Sequence, residues 1–329
     1  MSEAVPSTMT SMQITSLEGP AALEARPAAV PVPRDDEVLI RVRAAGVSFP
    51  EVLQSRGLYQ LAPPLPFIPG SEVAGDVVSA PAGSGFAPGD RVVAFTVLGG
   101  FAEYAVAKTG LTFPLPAELS FEQAAGFGLN YLTAYFALVE RGAMRAGESV
   151  LVHGAAGGIG TAAIQVARAF GAGRVVAVVS TAEKGEVASA AGADVVVMAD
   201  GFREALGADG RVDLIVDPVG GDRFTDSLRA LGPGGRLLVI GFTSGEIPSV
   251  KVNRLLLNNT SVVGVGWGAY TLAVPGAAAR QWRALAPHIA SRALSPVLGA
   301  VYGLADASRA LLDLDERTAT GKIVLRMPD

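Results

Sequence analysis

The chain has 329 residues, enough for two domains at about 100 to 200 residues each, which excludes a fibre or a small stapled scaffold. Half of the residues are hydrophobic and 17% are charged, a balance incompatible with intrinsic disorder. A net charge of −5, no cysteine and only two histidines, His153 and His288, leave no basic excess for nucleic acid, no disulfide and no thiolate zinc site.

The start of the chain carries Glu3 and lacks a basic segment ahead of an apolar core, so it does not read as a secretory signal, and a cytoplasmic enzyme is expected. From Gln13 to about Leu119 short apolar runs at 37–44, 73–78, 90–95 and 101–106 are separated by turn residues, the spacing of a β-rich, barrel-like domain. Prolines at 63, 64, 66 and 69 bar a helix there and predict a loop. At Ser120 the pattern changes: Ser120 and Gln123 form a capping box ahead of a helical run at 124–141, and a domain boundary falls nearby.

Beyond Ser149 strands alternate with helices: strands at 150–153, 175–179, 195–198, 212–216 and 237–240, helices at 158–170, 182–191 and 221–230. The strands are apolar with little polar alternation, so they predict a parallel sheet covered on both faces, a doubly wound α/β fold. A charge-free stretch at 262–279 is long enough to raise the membrane question, but four glycines, Pro275, Thr271 and Tyr270 make it a poor spanning helix. It is read as a strand at 261–267 followed by a loop. An amphipathic stretch at 278–290 and a strand at 322–326, returning to the first domain, complete the chain.

The strand at 150–153 runs directly into Gly154-Ala155-Ala156-Gly157-Gly158-Ile159-Gly160 and then into a helix. Strand, glycine turn and helix in that order are what a dinucleotide site requires: Gly157 lets the backbone approach a pyrophosphate, whose charge meets free amides and the positive helix end, and Gly160 allows close packing on the sheet; the alternative is a structural turn that binds nothing. Ala155 departs from the strict glycine spacing. About 20 residues on, an acidic residue would hold the ribose hydroxyls of NAD. Here the second strand ends in Val179-Ser180-Thr181 with Lys184 one turn later, hydroxyls and an ammonium that suit a 2′-phosphate, so NADPH is the expected cofactor. As an alternative, Lys184 serves only as a solvated helix lysine.

The segments Ala45-Gly46-Val47-Ser48-Phe49, Arg56-Gly57-Leu58-Tyr59, 66–75, Gly89-Asp90-Arg91-Val92, Gly100-Phe101-Ala102-Glu103-Tyr104, Leu132-Thr133-Ala134-Tyr135 and 153–160 together resemble the zinc-independent quinone oxidoreductase, zeta-crystallin-like branch of the medium-chain dehydrogenase/reductase superfamily. The resemblance implies a GroES-like β-rich catalytic domain at 1–125, completed by 295–329, and a Rossmann domain at 126–294. It implies that Ser48 and Ser71 stand where zinc-dependent relatives place a cysteine and a histidine, beside a retained Glu72, so no metal site is expected. It carries cofactor contacts to Thr133, Gly157, Gly158, Ile159, Ser180, Lys184, Gly241, Phe242 and Ser244, with Arg317 at the adenosine phosphate. Ala199 departs from a tyrosine often found after the third strand, and Ser48 from an asparagine.

Without a metal, hydride transfer needs an acceptor that is already electrophilic. A quinone meets that condition, and NADPH-dependent quinone reduction is the first reading. An ene or enoyl-thioester reductase acting on a conjugated carbonyl is the alternative; the resemblance makes Tyr59 either the proton donor or an aromatic pocket wall, and Ser48 is the other catalytic candidate, at the family's polar contact position. A third reading is a cofactor-binding protein recruited for RNA binding or a structural role, and the acidic net charge counts against the RNA version. His153, on an apolar strand, is expected to be a packed neutral imidazole. By resemblance the strand at 261–267 joins two Rossmann sheets, so a homodimer is expected, with no membrane partner.

Overall fold

The computed structural model describes residues 5–207 and 210–328, which divide into two compact units: Met1–Leu129 with Leu298–Asp329, and Asn130–Val297.

The first unit opens with an antiparallel hairpin, β1 (Thr8–Ile14) and β2 (Leu23–Ala29). The strand β3 (Glu37–Val47) is its axis, since Val38, Ile40 and Val42 are all at most 2% exposed and supply one continuous apolar row. A short helix, α1 (Phe49–Ser55), follows at once, and then β4 (Glu72–Ser79), β5 (Arg91–Phe95), β6 (Tyr104–Lys108) and β7 (Thr112–Pro114). Strands β4 and β6 both pair antiparallel with β3, β5 extends the sheet from β4, and β7 from β5. Ser120 and Gln123 exchange backbone-to-side-chain hydrogen bonds at 3.1 and 3.2 Å, the capping box read in the sequence, and start α2 (Phe121–Tyr135). That helix runs on through wider π-type turns over Phe136–Arg141.

In the second unit a parallel sheet is built from β8 (Ser149–His153), β9 (Arg174–Val179), β10 (Val195–Met198), β11 (Val212–Asp217), β12 (Leu231–Val239) and β13 (Ser261–Gly264), in the spatial order β10-β9-β8-β11-β12-β13. Val150, Leu151, Val152, Leu214, Ile215 and Val216 are all fully buried, as strands covered on both faces must be. The covering helices are α3 (Gly158–Ala169), α4 (Ala182–Ala190), α5 (Phe202–Ala205), α6 (Phe224–Ala230), α7 (Asn253–Asn258), α8 (Trp267–Ala273) and α9 (Ala277–Ala290). Strand order reverses between β8 and β11, which makes the carboxyl ends of those two strands the switch point where such sheets bind ligands.

The segment read as a strand at 261–267 followed by a loop divides differently. The strand stops at Gly264, and α8 begins at Trp267. The cause is tertiary: the Trp267 indole donates to the buried Gln281 side chain of α9 at 2.7 Å, and Thr271 bonds back to the Trp267 carbonyl at 3.0 Å, so the apolar residues pay into a helix-to-helix contact rather than a longer strand. No helix among the described residues is long and apolar enough to cross a membrane.

The chain closes with β14 (Leu298–Gly303), α10 (Ala307–Asp315) and β15 (Lys322–Arg326). The last strand pairs antiparallel with β3, Ile323 opposite Val47, so the C-terminal strand completes the β-rich unit. Ile323 and Leu325 join Met12, Ile40, Val52, Val73 and Phe101 in its core.

Candidate functional site

In the β-rich unit, chain register brings four polar side chains into the apolar core. Ser48 caps α1 directly after β3, and pairing of β15 with β3 sets Lys322 beside it. The Lys322 ammonium donates to Ser48 Oγ and to Glu72 Oε1, both at 2.6 Å. Lys322 is 4% exposed and Glu72 wholly buried. The other Glu72 oxygen accepts from the Leu129 backbone amide at 2.7 Å. Buried charge of this kind persists only when paired and hydrogen-bonded, as it is here.

Glu51 extends the cluster. One of its oxygens accepts from the Ser48 amide at 2.9 Å, and the other from the Ser71 hydroxyl at 2.6 Å and the Ser71 amide at 3.1 Å. Burial pushes the Glu51 carboxyl above its ordinary range, against the opposite pull of Ser71 and of the Lys322 ammonium, while Glu72 pushes with it. Tyr59, half-buried just past α1, has its phenol raised first by burial and then by the negative charge of Glu51. Its hydroxyl is hydrogen-bonded to none of the described residues.

The second unit presents a different kind of site. At the end of β8 Gly154 turns the chain at φ +57°, and Gly157 precedes α3 in an extended conformation with no side-chain cap. The first amides of a helix have no partner within it, so those of Gly158 and Ile159 are available to an anion. A Cβ on Gly160 would lie 2.2 Å from the Gly154 carbonyl oxygen and 2.6 Å from Ala155 Cα, so only glycine fits. On Gly157 a Cβ would meet nothing nearer than 3.4 Å, which leaves open room over the turn.

The neighbouring strand ends join this turn. Asp217, at the end of β11, accepts from the amides of Val219 and Gly220 at 2.9 Å each and fixes the bend there. The loop after β12 is tied to that bend by Thr243 and Ser244, whose amides donate to the carbonyls of Pro218 and Val219 at 3.1 and 3.0 Å. Gly241, Phe242 and Ser244 therefore stand at the switch point with the glycine turn, all partly exposed. Ser180 follows β9 directly, with the Lys184 ammonium 3.4 Å from its hydroxyl, and Thr181 caps α4 by accepting from the Lys184 amide. Thr133 comes from α2 and is 6% exposed. Arg317 belongs to the other unit, where it is exposed just after α10.

His153 is buried under the turn. Ser227 donates its proton to the Arg223 carbonyl, so its oxygen accepts from His153 Nε2 at 2.8 Å, and Nδ1 is the bare nitrogen. Burial lowers the imidazole to about 4, which keeps it neutral. The packed neutral ring expected from the sequence is what the fold contains.

Sequence reasoning passed over Lys322 and Glu51 as site residues. Each left a trace: Glu51 stands three residues after Ser48, the spacing of a reciprocal helix cap, and Lys322 borders an apolar strand in which its charge must find a partner.

Comparison with known proteins places this geometry. Residues 34–117 match the family of the alcohol dehydrogenase GroES-like domain, and residues 158–290 that of the zinc-binding dehydrogenases. The human quinone oxidoreductase is 34% identical over 96% of this chain and 97% of its own length. Among solved structures, the Thermus thermophilus quinone oxidoreductase, known also in complex with NADPH, superposes with a TM-score of 0.85 at 37% identity, covering 97% of this chain and all of that one. A mycobacterial protein complexed with NADPH gives a TM-score of 0.89 at 34% identity over 97% of this chain and 99% of its own.

Proposed function

The chain belongs to the quinone oxidoreductase family of medium-chain dehydrogenases/reductases and is an oxidoreductase of that type, and from this premise we propose that it reduces quinones with NADPH, without a metal. The observation that carries the reading is the junction of the glycine turn with the Ser180–Lys184 pair: open space over Gly157, unpaired helix amides, and a hydroxyl and an ammonium rather than a carboxylate after the second strand. Bound there, NADPH supplies a hydride. The relatives known in complex with NADPH support the choice of cofactor.

Each residue then has a task. Gly157, Gly158 and Ile159 receive the pyrophosphate, Ser180 and Lys184 the 2′-phosphate, and Thr133, Gly241, Phe242 and Ser244 orient the nicotinamide. Metal independence rests on the donor set. Zinc is held by thiolate, imidazole or carboxylate, whereas Ser48 and Ser71 offer neutral hydroxyls and an ammonium already sits 2.6 Å from both Ser48 and Glu72. A second cation at that place would be repelled. The acceptor must therefore be electrophilic by itself, as a quinone is.

Steady-state assays with NADPH and NADH against small quinones test the proposal. Turnover faster with NADPH is expected, and absence of turnover with every quinone would remove the reading. The unpartnered Tyr59 hydroxyl favours a second reading, reduction of a conjugated carbonyl with Tyr59 as proton donor. In that case Tyr59→Phe would depress enone reduction far more than quinone reduction.

The reading extends to a homodimer in the cytoplasm. Among the described residues the edge strand β13 has no neighbour on one side, and Val252, Leu256 and Leu257, which precede it in the chain, are more than 70% exposed. Sedimentation at micromolar concentration is expected to show a dimer, and Leu256→Glu with Leu257→Glu to shift it toward monomer.

A further inference from the structure

Sulfur in this chain is confined to methionine: there are six, and no cysteine. Met9, Met12 and Met327 are buried and Met144 is partly covered, whereas Met198 is 46% exposed, the most open thioether among the described residues. It closes β10, the edge strand of the parallel sheet. Side chains alternate along a strand, and Val195 and Val197 pack into the core with Val176 and Phe202, so Val196 and Met198 belong to the opposite face. That face carries α4, since a Cβ on Gly185 would stand 3.1 Å from Val196 Cγ1. Met198 lies two residues further on, about 6.6 Å along the strand. The crossover helix runs the other way, and a similar distance back from Gly185 is about four residues, which leads to Thr181 at its start. In the sheet Met198 pairs with Val179, the residue before Ser180. The thioether therefore stands level with the first turn of α4, on the strand beside the one that leads into Ser180 and Lys184, and all of these residues belong to one unit.

We propose that Met198 is an oxidation site, converted to the sulfoxide by hydroperoxides, and that the sulfoxide weakens the binding of NADPH at the neighbouring 2′-phosphate position. The second half rests on the cofactor placement argued above. In the reaction a sulfur lone pair attacks a peroxide oxygen, an S–O bond forms as the O–O bond breaks, and with hydrogen peroxide the other oxygen leaves as water. Sulfur loses two electrons and the peroxide gains them. Hydrogen peroxide is also what a hydroquinone yields when oxygen reoxidises it, so the proposed activity can supply the oxidant. An apolar, flexible side chain becomes a polar one that carries an acceptor and no donor. Its oxygen draws on the donors proposed for the 2′-phosphate, the Ser180 hydroxyl and the Lys184 ammonium, and adds negative polarity where the phosphate brings its own. NADH has no such phosphate and escapes the penalty.

Peptide mapping by mass spectrometry after brief exposure to hydrogen peroxide tests the site without any turnover. The peptide containing Met198 is expected to gain about 16 Da before those containing Met9, Met12, Met144 and Met327. Fluorescence titration of the same material is expected to show the Kd for NADPH raised about fivefold and that for NADH unchanged, with recovery after treatment with methionine sulfoxide reductases of both stereospecificities. Met198→Leu, close in volume and without sulfur, is expected to bind NADPH as the untreated protein does and to keep that affinity in peroxide. Oxidation of any of the other four methionines ahead of Met198, or a Met198 sulfoxide that holds NADPH as tightly as the thioether, would overturn the proposal and leave the function intact. A loss of NADPH affinity that persists in peroxide-treated Met198→Leu would move the sensitive residue elsewhere and overturn it as well. An untreated protein that binds neither nucleotide would overturn the cofactor placement and with it the effect on affinity, while the mass gain at Met198 stands or falls by itself.

Discussion

The two units reach their polar sites by opposite routes. The glycine turn of the Rossmann unit is made of backbone, and its specificity lies in what is missing: no Cβ at Gly160, none over Gly157, no carboxylate at the end of β9. The cluster of the β-rich unit is made of buried side chains, an ammonium and two carboxylates in an apolar core, held only because each satisfies another. A site built of backbone tolerates no added atom, whereas one built of paired charges tolerates no removed partner.

The largest expected effect therefore follows from breaking the pair. Lys322→Met leaves Glu72 charged and wholly buried with only the Leu129 amide, and should cost about 3 to 5 kcal/mol of stability in urea unfolding. The neutral double variant with Glu72→Gln should recover most of it. If the single and double variants are equally unstable, the cluster is not held by charge pairing.

Adding an atom to the turn should come next. Gly160→Val drives a side chain into the Gly154 carbonyl and should cost about 3 kcal/mol together with loss of NADPH binding. Gly157→Ala separates the two functions of the turn, because its Cβ has space in the protein: thermal stability should hold while NADPH affinity, followed by nucleotide fluorescence, falls at least about tenfold. A loss of stability equal to that of Gly160→Val would show that Gly157 is needed for folding rather than for the cofactor.

His153 extends the comparison to pH. Its pKa in the folded protein, about 4, lies below the ordinary value of 6.5, so the unfolded chain binds the proton first as pH falls. Stability is thus highest above about pH 6.5 and declines as pH approaches 4, by about 3 kcal/mol in the limit. Urea unfolding at pH 7 and pH 4.5 should show the decline in the wild type and a smaller one in His153→Gln.

The contrast also explains what could be read from the amino-acid sequence. The glycine turn was legible because its parts are consecutive: the apolar strand at 150–153, the glycines and the amphipathic helix fall within 20 residues, and local geometry needs nothing else. The order of the Rossmann elements followed for the same reason. The cluster was not, because Lys322 lies 274 residues from Ser48 and 250 from Glu72, and only the pairing of β15 with β3 brings them together. The hairpin β1–β2 and the helix α8 also escaped, the first because Arg26 and Pro27 interrupt its alternation, the second because Gly266 and Gly268 mask a helix that forms against Gln281.

The smallest expected effect concerns cofactor choice, where the proposed Rossmann site adds a side chain. Lys184 lies at the surface, one turn into α4, with its ammonium 3.4 Å from the Ser180 hydroxyl, whereas Lys322 and Glu72 are buried. A charge in such a place contributes little to folding, so Lys184→Ala should leave stability within about 0.5 kcal/mol. A 2′-phosphate would meet it directly, however, and loss of that charge-assisted contact should raise KM for NADPH about tenfold, with kcat and the KM for NADH nearly unchanged. Glu183 in the same turn is exposed and acidic, so removing Lys184 also leaves a net negative surface toward the phosphate. That effect strengthens with falling salt, as an exposed charge requires. Equal losses with both cofactors would mean that Lys184 supports the adenosine end in general rather than distinguishing the phosphate.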